Sequence, residues 1–110
     1  MLSSQHRITR GEDFRRILRV GRKSQSALGT VAVADGSSDT FRCGVITSKA
    51  VGGAVVRNRV RRRVRAACAA LAPSLTGKDV VVRCREDAAH LSYHEIVSLI
   101  VAALEKSGRS

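Results

Sequence analysis

Apolar positions recur along this chain with two periods, and the places where one gives way to the other mark its elements. From about Arg10 to Val20, Phe14, Ile17 and Leu18 fall at the i, i+3, i+4 spacing of one helical face, with Gly21 just past the end. Small and branched residues from Ala27 to Ala34 predict a strand. Asp35 to Asp39 reads as a turn, and Thr40 to Thr47 alternates Phe41, Cys43 and Val45 against Arg42 and Gly44, so the two strands predict a hairpin. After a glycine-containing loop from Lys49 to Gly53, a helix is predicted from Ala54 to Leu71 and is closed by Pro73. Within it Val56, Val60, Val64, Ala67, Cys68 and Leu71 share one face, a stripe of the width expected to meet a core. Lys78 to Cys84 carries Val80, Val81 and Val82 in an unbroken run, the pattern of a strand covered on both faces. Ser92 and Glu95 have the spacing of a capping box, and Ile96, Leu99, Ile100, Ala103 and Leu104 then form the apolar face of a last helix. The order is helix, two strands, helix, strand, helix.

Composition narrows the interior. At 110 residues one core is expected, a single domain over 1–110, because two would each be too small. Phe14, Phe41 and Tyr93 are the only aromatic residues, so Val, Leu, Ile and Ala must fill that core. The three cysteines, Cys43, Cys68 and Cys84, are odd in number and widely spaced, which argues for buried thiols rather than a disulfide framework or a zinc site. No apolar run approaches the roughly 20 residues that span a bilayer, and the N-terminus lacks the apolar stretch of a signal peptide, so a cytoplasmic location is expected.

Charge changes the picture more. Twenty Lys and Arg against nine Asp and Glu give a formal charge of +11, which calls for a polyanionic partner. Most of it is concentrated: no acidic residue stands between Asp39 and Asp79, a stretch that holds Arg42, Lys49, Arg57, Arg59, Arg61, Arg62, Arg63, Arg65 and Lys78. On the predicted helix Asn58, Arg59, Arg62 and Arg65 lie opposite the valine stripe, Arg61 lies beside them, and Arg57 and Arg63 sit at its borders. A solvated helix face normally mixes signs so that charges pair at i, i+4; here they repel at those spacings, so an external anion is the better explanation. Arginine suits phosphate because its planar donors bind bidentately. If about five phosphates were neutralised, affinity for a duplex would fall with salt at a log–log slope of roughly −4 to −5. A membrane-surface helix would need bulky anchors in place of valine and alanine, so no membrane partner is expected. Catalytic signals are thin: His90 and His94 are four apart, but the capping box places His90 before the helix, and no glycine-rich phosphate loop, serine elbow or carboxylate pair occurs.

The run from Ser48 to Arg65, with its Ser-Lys, Val-Gly and Arg-Asn-Arg segments, resembles the signature of the bacterial ribonuclease P protein subunit family. Asp13-Phe14, Gly21, Asp79 to Val82 and Leu91 to Tyr93 extend the resemblance over nearly the whole chain. It implies an α+β fold: a two-layer α/β sandwich with a mixed four-stranded sheet, about three helices and a left-handed βαβ crossover through the arginine helix. The strand that periodicity does not show would run from Arg22 to Ser26. The resemblance further implies an endoribonuclease in which a catalytic RNA, with Mg²⁺ held mainly by that RNA, removes the 5′ leader of precursor tRNA, with one protein per RNA. Lys49, Arg57, Asn58, Arg59, Arg61, Arg62 and Arg65 would face the RNA, and Phe14 and Leu18 would line a leader cleft between the first helix and the sheet. The family pattern carries a phenylalanine where Leu18 stands and an aromatic near Ala32, so fewer stacking surfaces are implied here. It also has an asparagine where Gly53 stands and an acid where Ala66 stands. A structural RNA-binding protein of ribosomal type is the alternative that composition alone allows, and an architectural DNA binder a third; neither requires that order of residues.

Overall fold

The computed structural model describes residues 4–36 and 40–107. Its elements are α1 (Gly11–Val20), β1 (Arg22–Ser26), β2 (Gly29–Asp35), β3 (Arg42–Ile46), α2 (Ala54–Ala70), the one-turn α3 (Ala72–Leu75), β4 (Lys78–Cys84) and α4 (Tyr93–Ser107), with 3₁₀ turns at Ser4–His6 and Glu86–His90. The four strands form one mixed sheet in the order β1-β2-β4-β3, with β1 and β4 antiparallel to β2 and β3 parallel to β4.

This order corrects the predicted hairpin. β2 and β3 are not neighbours, because β4 lies between them and takes the hydrogen bonds of both. The hairpin of this sheet is β1–β2, turned at Ala27 and Leu28, which the sequence reading placed inside a strand. β1 is the strand that only the resemblance implied; its residues, Arg-Lys-Ser-Gln-Ser, are polar at every position, so no apolar alternation could reveal it. The turn predicted from Asp35 to Asp39 lies partly outside the described residues: Asp35 ends β2, the Gly36 amide donates to the Gly77 carbonyl at 2.8 Å, and residues 37–39 are not described. Pro73 does not stop helical structure; it sits in the first turn of α3, where a missing amide hydrogen costs nothing.

Each face of the sheet has its own core. Val31 and Val33 of β2, Val80 and Val82 of β4, and Cys43 of β3 face α2 and α4, where Val60, Val64, Ala67 and Cys68 meet Ile96, Ile100 and Ala103. This is the two-layer sandwich. The alternate positions Ala32, Ala34 and Val81 face the other way, and α1 lies across part of that face with Ile17 fully buried beside Ile8. β4 is central, and Val80, Val81 and Val82 are all completely buried, as an unbroken apolar run requires. The capping box closes as its spacing predicts, with the Ser92 amide donating to Glu95 Oε1 at 3.0 Å and the Glu95 amide to Ser92 Oγ at 3.1 Å. Hydrogen bonding to the Ser92 amide, and then to the Ser92 hydroxyl, holds the Glu95 carboxyl below its usual range.

Two glycines fit by space rather than by backbone freedom. Gly21 follows α1 with an ordinary negative φ, and a Cβ there would meet the Ile17 carbonyl oxygen at 2.6 Å. A Cβ at Gly44 would stand 2.5 Å from Phe14 Cε1, so the absence of a side chain on β3 lets the Phe14 ring lie on the sheet.

Candidate nucleic-acid interface

The helical period that buries Val60 and Val64 turns the polar side of α2 outward. Asn58 and Arg62 are exposed, while Arg57, Arg59, Arg61 and Arg65 lie partly covered along the flanks. Val55, Asn58, Arg61, Arg62 and Arg65 together line a shallow depression of about 340 Å³. Arg61 is fixed from both sides, donating to Thr47 Oγ1 at 2.8 Å and to Asn58 Oδ1. Asn58 therefore orients a neighbouring guanidinium as well as being exposed itself. Lys49 is exposed in the turn that leads into α2, held by hydrogen bonds from the Val51 amide to the Ser48 carbonyl and from the Gly52 amide to the Lys49 carbonyl. α2 starts at Gly53 without a side-chain cap and without an acid in its first turn, so the positive end of its dipole is uncompensated.

Ion pairing sorts the nine basic residues of the acid-free stretch. Arg42 donates to Asp79 through Nε at 3.1 Å and Nη2 at 2.8 Å, and lies 3.5 Å from Asp13. Lys78 pairs with Asp35 at 2.6 Å, and Arg63 donates to the Leu91 carbonyl at 2.9 Å, tying α2 to the start of α4. Among the described residues, Lys49, Arg57, Arg59, Arg61, Arg62 and Arg65 have no carboxylate partner. Burial, and then the nearby charges of Arg7 and Arg61, make the Arg65 guanidinium easier to deprotonate than a free arginine. The Nε atoms of Arg57 and Arg59 are buried without a hydrogen-bond partner. A cationic surface left in this state is stabilised by an anion from outside.

Phe14 and Leu18 lie on the opposite face of the sheet, both partly buried against Ile8, Ile17, Ala32 and Val81. The fold thus keeps these two positions apart from the arginine helix, with the sheet between them. Beyond the edge of α1, that same face opens into a groove of about 460 Å³ whose lining includes Gln25, Thr30, Ile46, Ser48 and Arg83. Arg83 is exposed although it belongs to the central strand, and sequence reading missed it; a charged residue directly after the buried run Val80 to Val82 was the available signal. Asp79 was also missed. It is 1% exposed and accepts hydrogen bonds from Arg16 of α1 at 2.9 Å and from Arg42 of β3.

The thiols are buried and free, as expected. A hydrogen bond with Cys68, followed by burial, pushes the Cys43 thiol far up, and burial pushes Cys84 to about 12, so neither is a nucleophile near neutrality. Among the described residues no three of His, Cys, Asp and Glu converge as metal ligands, and no helix is long and apolar enough to cross a membrane.

A mixed sheet backed by a helix whose arginines have no carboxylate partners among the described residues defines a small basic α+β protein of the class that binds polyanions. Comparison with known proteins makes the assignment specific. The family model described as Ribonuclease P matches residues 2–108, and the chain belongs to that family. The ribonuclease P protein component of Bacillus cereus (strain B4264) is 31% identical over 109 residues, covering 97% of this chain and 95% of that protein. That of Chloroflexus aggregans is 48% identical over 81 residues, which span 73% of this chain but only 60% of the relative's length. Among solved structures, the ribonuclease P protein of Staphylococcus aureus superposes with a TM-score of 0.82 at 27% identity, covering 94% of this chain and 95% of that one. The ribonuclease P protein of Thermotoga maritima shares the fold, with a TM-score of 0.78 at 22% identity over 91% of this chain and 96% of that one. Nothing in these comparisons supports the ribosomal-type alternative.

Proposed function

We propose that this chain is the protein subunit of a ribonuclease P holoenzyme, one protein per catalytic RNA, and that it assists endonucleolytic removal of the 5′ leader from precursor tRNA. The observation that carries the reading is the sorting of cations on α2: Arg63 is bonded inside the protein, while Arg57, Arg59, Arg61, Arg62 and Arg65 have no carboxylate partners among the described residues. With Asn58 and Lys49 they bind the catalytic RNA through its phosphates. Phe14 and Leu18, on the other side of the sheet, hold the single-stranded leader. Because Leu18 and Ala32 offer no stacking surface, Arg83 in the adjoining groove supplies attraction for leader phosphates.

Hydrolysis belongs to the RNA and to Mg²⁺ held mainly by the RNA. Among the described residues no three of His, Cys, Asp and Glu converge as ligands for such a cation. What the protein contributes is binding and orientation.

Reconstitution tests this directly. Mixed with a bacterial ribonuclease P RNA at low Mg²⁺, the protein should raise the rate of leader removal above that of RNA alone. An unchanged rate at protein concentrations that saturate the RNA overturns the proposal.

A further inference from the structure

The core between β3 and α2 holds two thiols that the chain order gives no reason to pair. Cys43 and Cys68 are 25 residues apart, yet the Cys43 thiol donates to Cys68 Sγ at 3.0 Å. Their exposures are 1% and 0%. Each sulfur sits on a backbone fixed by its own element. Cys43 pairs with Val80 of β4 on one side of β3 and with Arg7 on the other, and its carbonyl accepts from the Ile8 amide at 2.9 Å. Cys68 lies in the last turn of α2, where its carbonyl accepts from the Leu71 amide at 3.1 Å. The packing of a helix on a sheet therefore holds the two side chains together, inside the core that also contains Val64 and Val80.

Cys84, the third thiol, is set apart. It ends β4, is 7% exposed and lines the groove that also includes Thr30 and Arg83. Chain entropy alone favours a different pair. Cys68 and Cys84 are 16 residues apart, and closing that loop in an unfolded chain is about twofold easier than joining Cys43 to Cys68. The fold brings together the pair that separation disfavours. An S–S bond is about 2.05 Å long, so the native pair needs an approach of only about 1 Å.

We propose that Cys43 and Cys68 are a site of covalent modification, at which a hydroperoxide forms a disulfide inside the native core. With hydrogen peroxide, one thiol attacks as thiolate, an S–O bond forms and the O–O bond breaks. The sulfur becomes a sulfenic acid, and the departing hydroxide joins the proton shed by that thiol as water. The second sulfur then displaces the sulfenic oxygen, which leaves as a second water. Two thiols lose two electrons in all, and one peroxide is reduced to two waters. A hydrogen bond with Cys68, and then burial, keep the Cys43 thiol protonated near neutrality, so the bond forms slowly there and faster as pH rises. The product pins α2 to β3 and closes the loop from 43 to 68. Cys68 lies on the apolar side of α2, away from the exposed Asn58 and Arg62, so the arginine face stays uncovered. The site is independent of the function proposed above.

The test exposes the folded full chain to hydrogen peroxide in mild alkali, then alkylates it in urea without reductant. Wild type should lose the mass of two hydrogens and take up one alkyl group in place of three, and peptide mapping should place the bond between Cys43 and Cys68. Cys84→Ser should form the same bond, whereas Cys68→Ser should form no intramolecular bond. Mapping of wild type decides the matter even if Cys68→Ser does not fold. Peroxide added to the urea-unfolded chain should instead favour the bond between Cys68 and Cys84. The oxidised protein should unfold at a urea midpoint about 1–2 M above that of the reduced one, and dithiothreitol in the denaturant should remove the gain. Three alkyl groups after prolonged exposure overturn the proposal. So do a bond from Cys84 in the folded protein, intermolecular dimers, or oxygen added at either thiol in place of the bond. An unchanged or lowered midpoint overturns it as well, because the native packing would then not accommodate the bond.

Discussion

Two groups of arginines in this protein have the same chemistry and opposite circumstances. Arg16 and Arg42 converge on Asp79, a carboxylate with 1% exposure, and together the three side chains join α1 to β3 and β4. The Asp79 carboxylate makes the Arg42 guanidinium harder to deprotonate. The arginines of α2 lie on the other side of the sheet with no carboxylate among the described residues, and one of them, Arg65, is easier to deprotonate than usual. The first group is complete within the chain and serves the fold. The second has no such partner among the described residues. Counting arginines does not separate the two groups; finding their partners does.

That contrast can be broken most severely at Asp79. Asp79→Ala leaves Arg42 and Arg16 without their buried partner and should cost roughly 3–5 kcal/mol in urea denaturation. A loss below about 1 kcal/mol would mean that the paired group is not structural. On the other side of the sheet, Asn58→Ala combined with Arg62→Ala should weaken binding of ribonuclease P RNA by roughly 2–3 kcal/mol, while stability stays within about 0.5 kcal/mol of wild type. A fall in stability with unchanged RNA affinity would invert the comparison.

Next in size is the position of Phe14. Gly44→Ala places a methyl group against its ring and should destabilise by about 1–3 kcal/mol in the same denaturation assay. Phe14→Ala should lower affinity for precursor tRNA relative to mature tRNA by a similar amount, about 1–3 kcal/mol, if the ring stacks on a leader base. Equal losses for both tRNAs would confine Phe14 to the core. The smallest effect has the opposite sign. Arg62→Gln relieves i, i+3 repulsion with Arg59 and Arg65 and should stabilise the free protein by about 0.2–0.5 kcal/mol at low salt, with the gain gone at 1 M salt. A stabilisation that survives high salt would have to come from something other than charge.

Much of this was legible in the residues before the fold. α1, α2, β4 and α4 follow from their apolar spacing, and the cap of α4 from Ser92 and Glu95, because helix turns and caps are decided by residues three or four apart. β1 was illegible from pattern because every residue in it is polar, and it stands in the sheet through pairing with β2. The β2–β3 hairpin misled for a related reason: two neighbouring strands joined by turn residues predict direct pairing, whereas the more apolar β4 takes the central place between them.

The arginine helix was apparent from its order of residues and its lack of acids, and the same order carried the resemblance to the family to which the chain belongs. Those are local properties, written in neighbours along one helix. Which cations remain unpaired, that Asp79 occupies Arg42, that Arg63 reaches the Leu91 carbonyl, and that Arg7 arrives beside Arg65 were decided by tertiary structure alone. Each depends on contacts between elements far apart in the chain, and long-range electrostatic pairing has no period that a sequence can display.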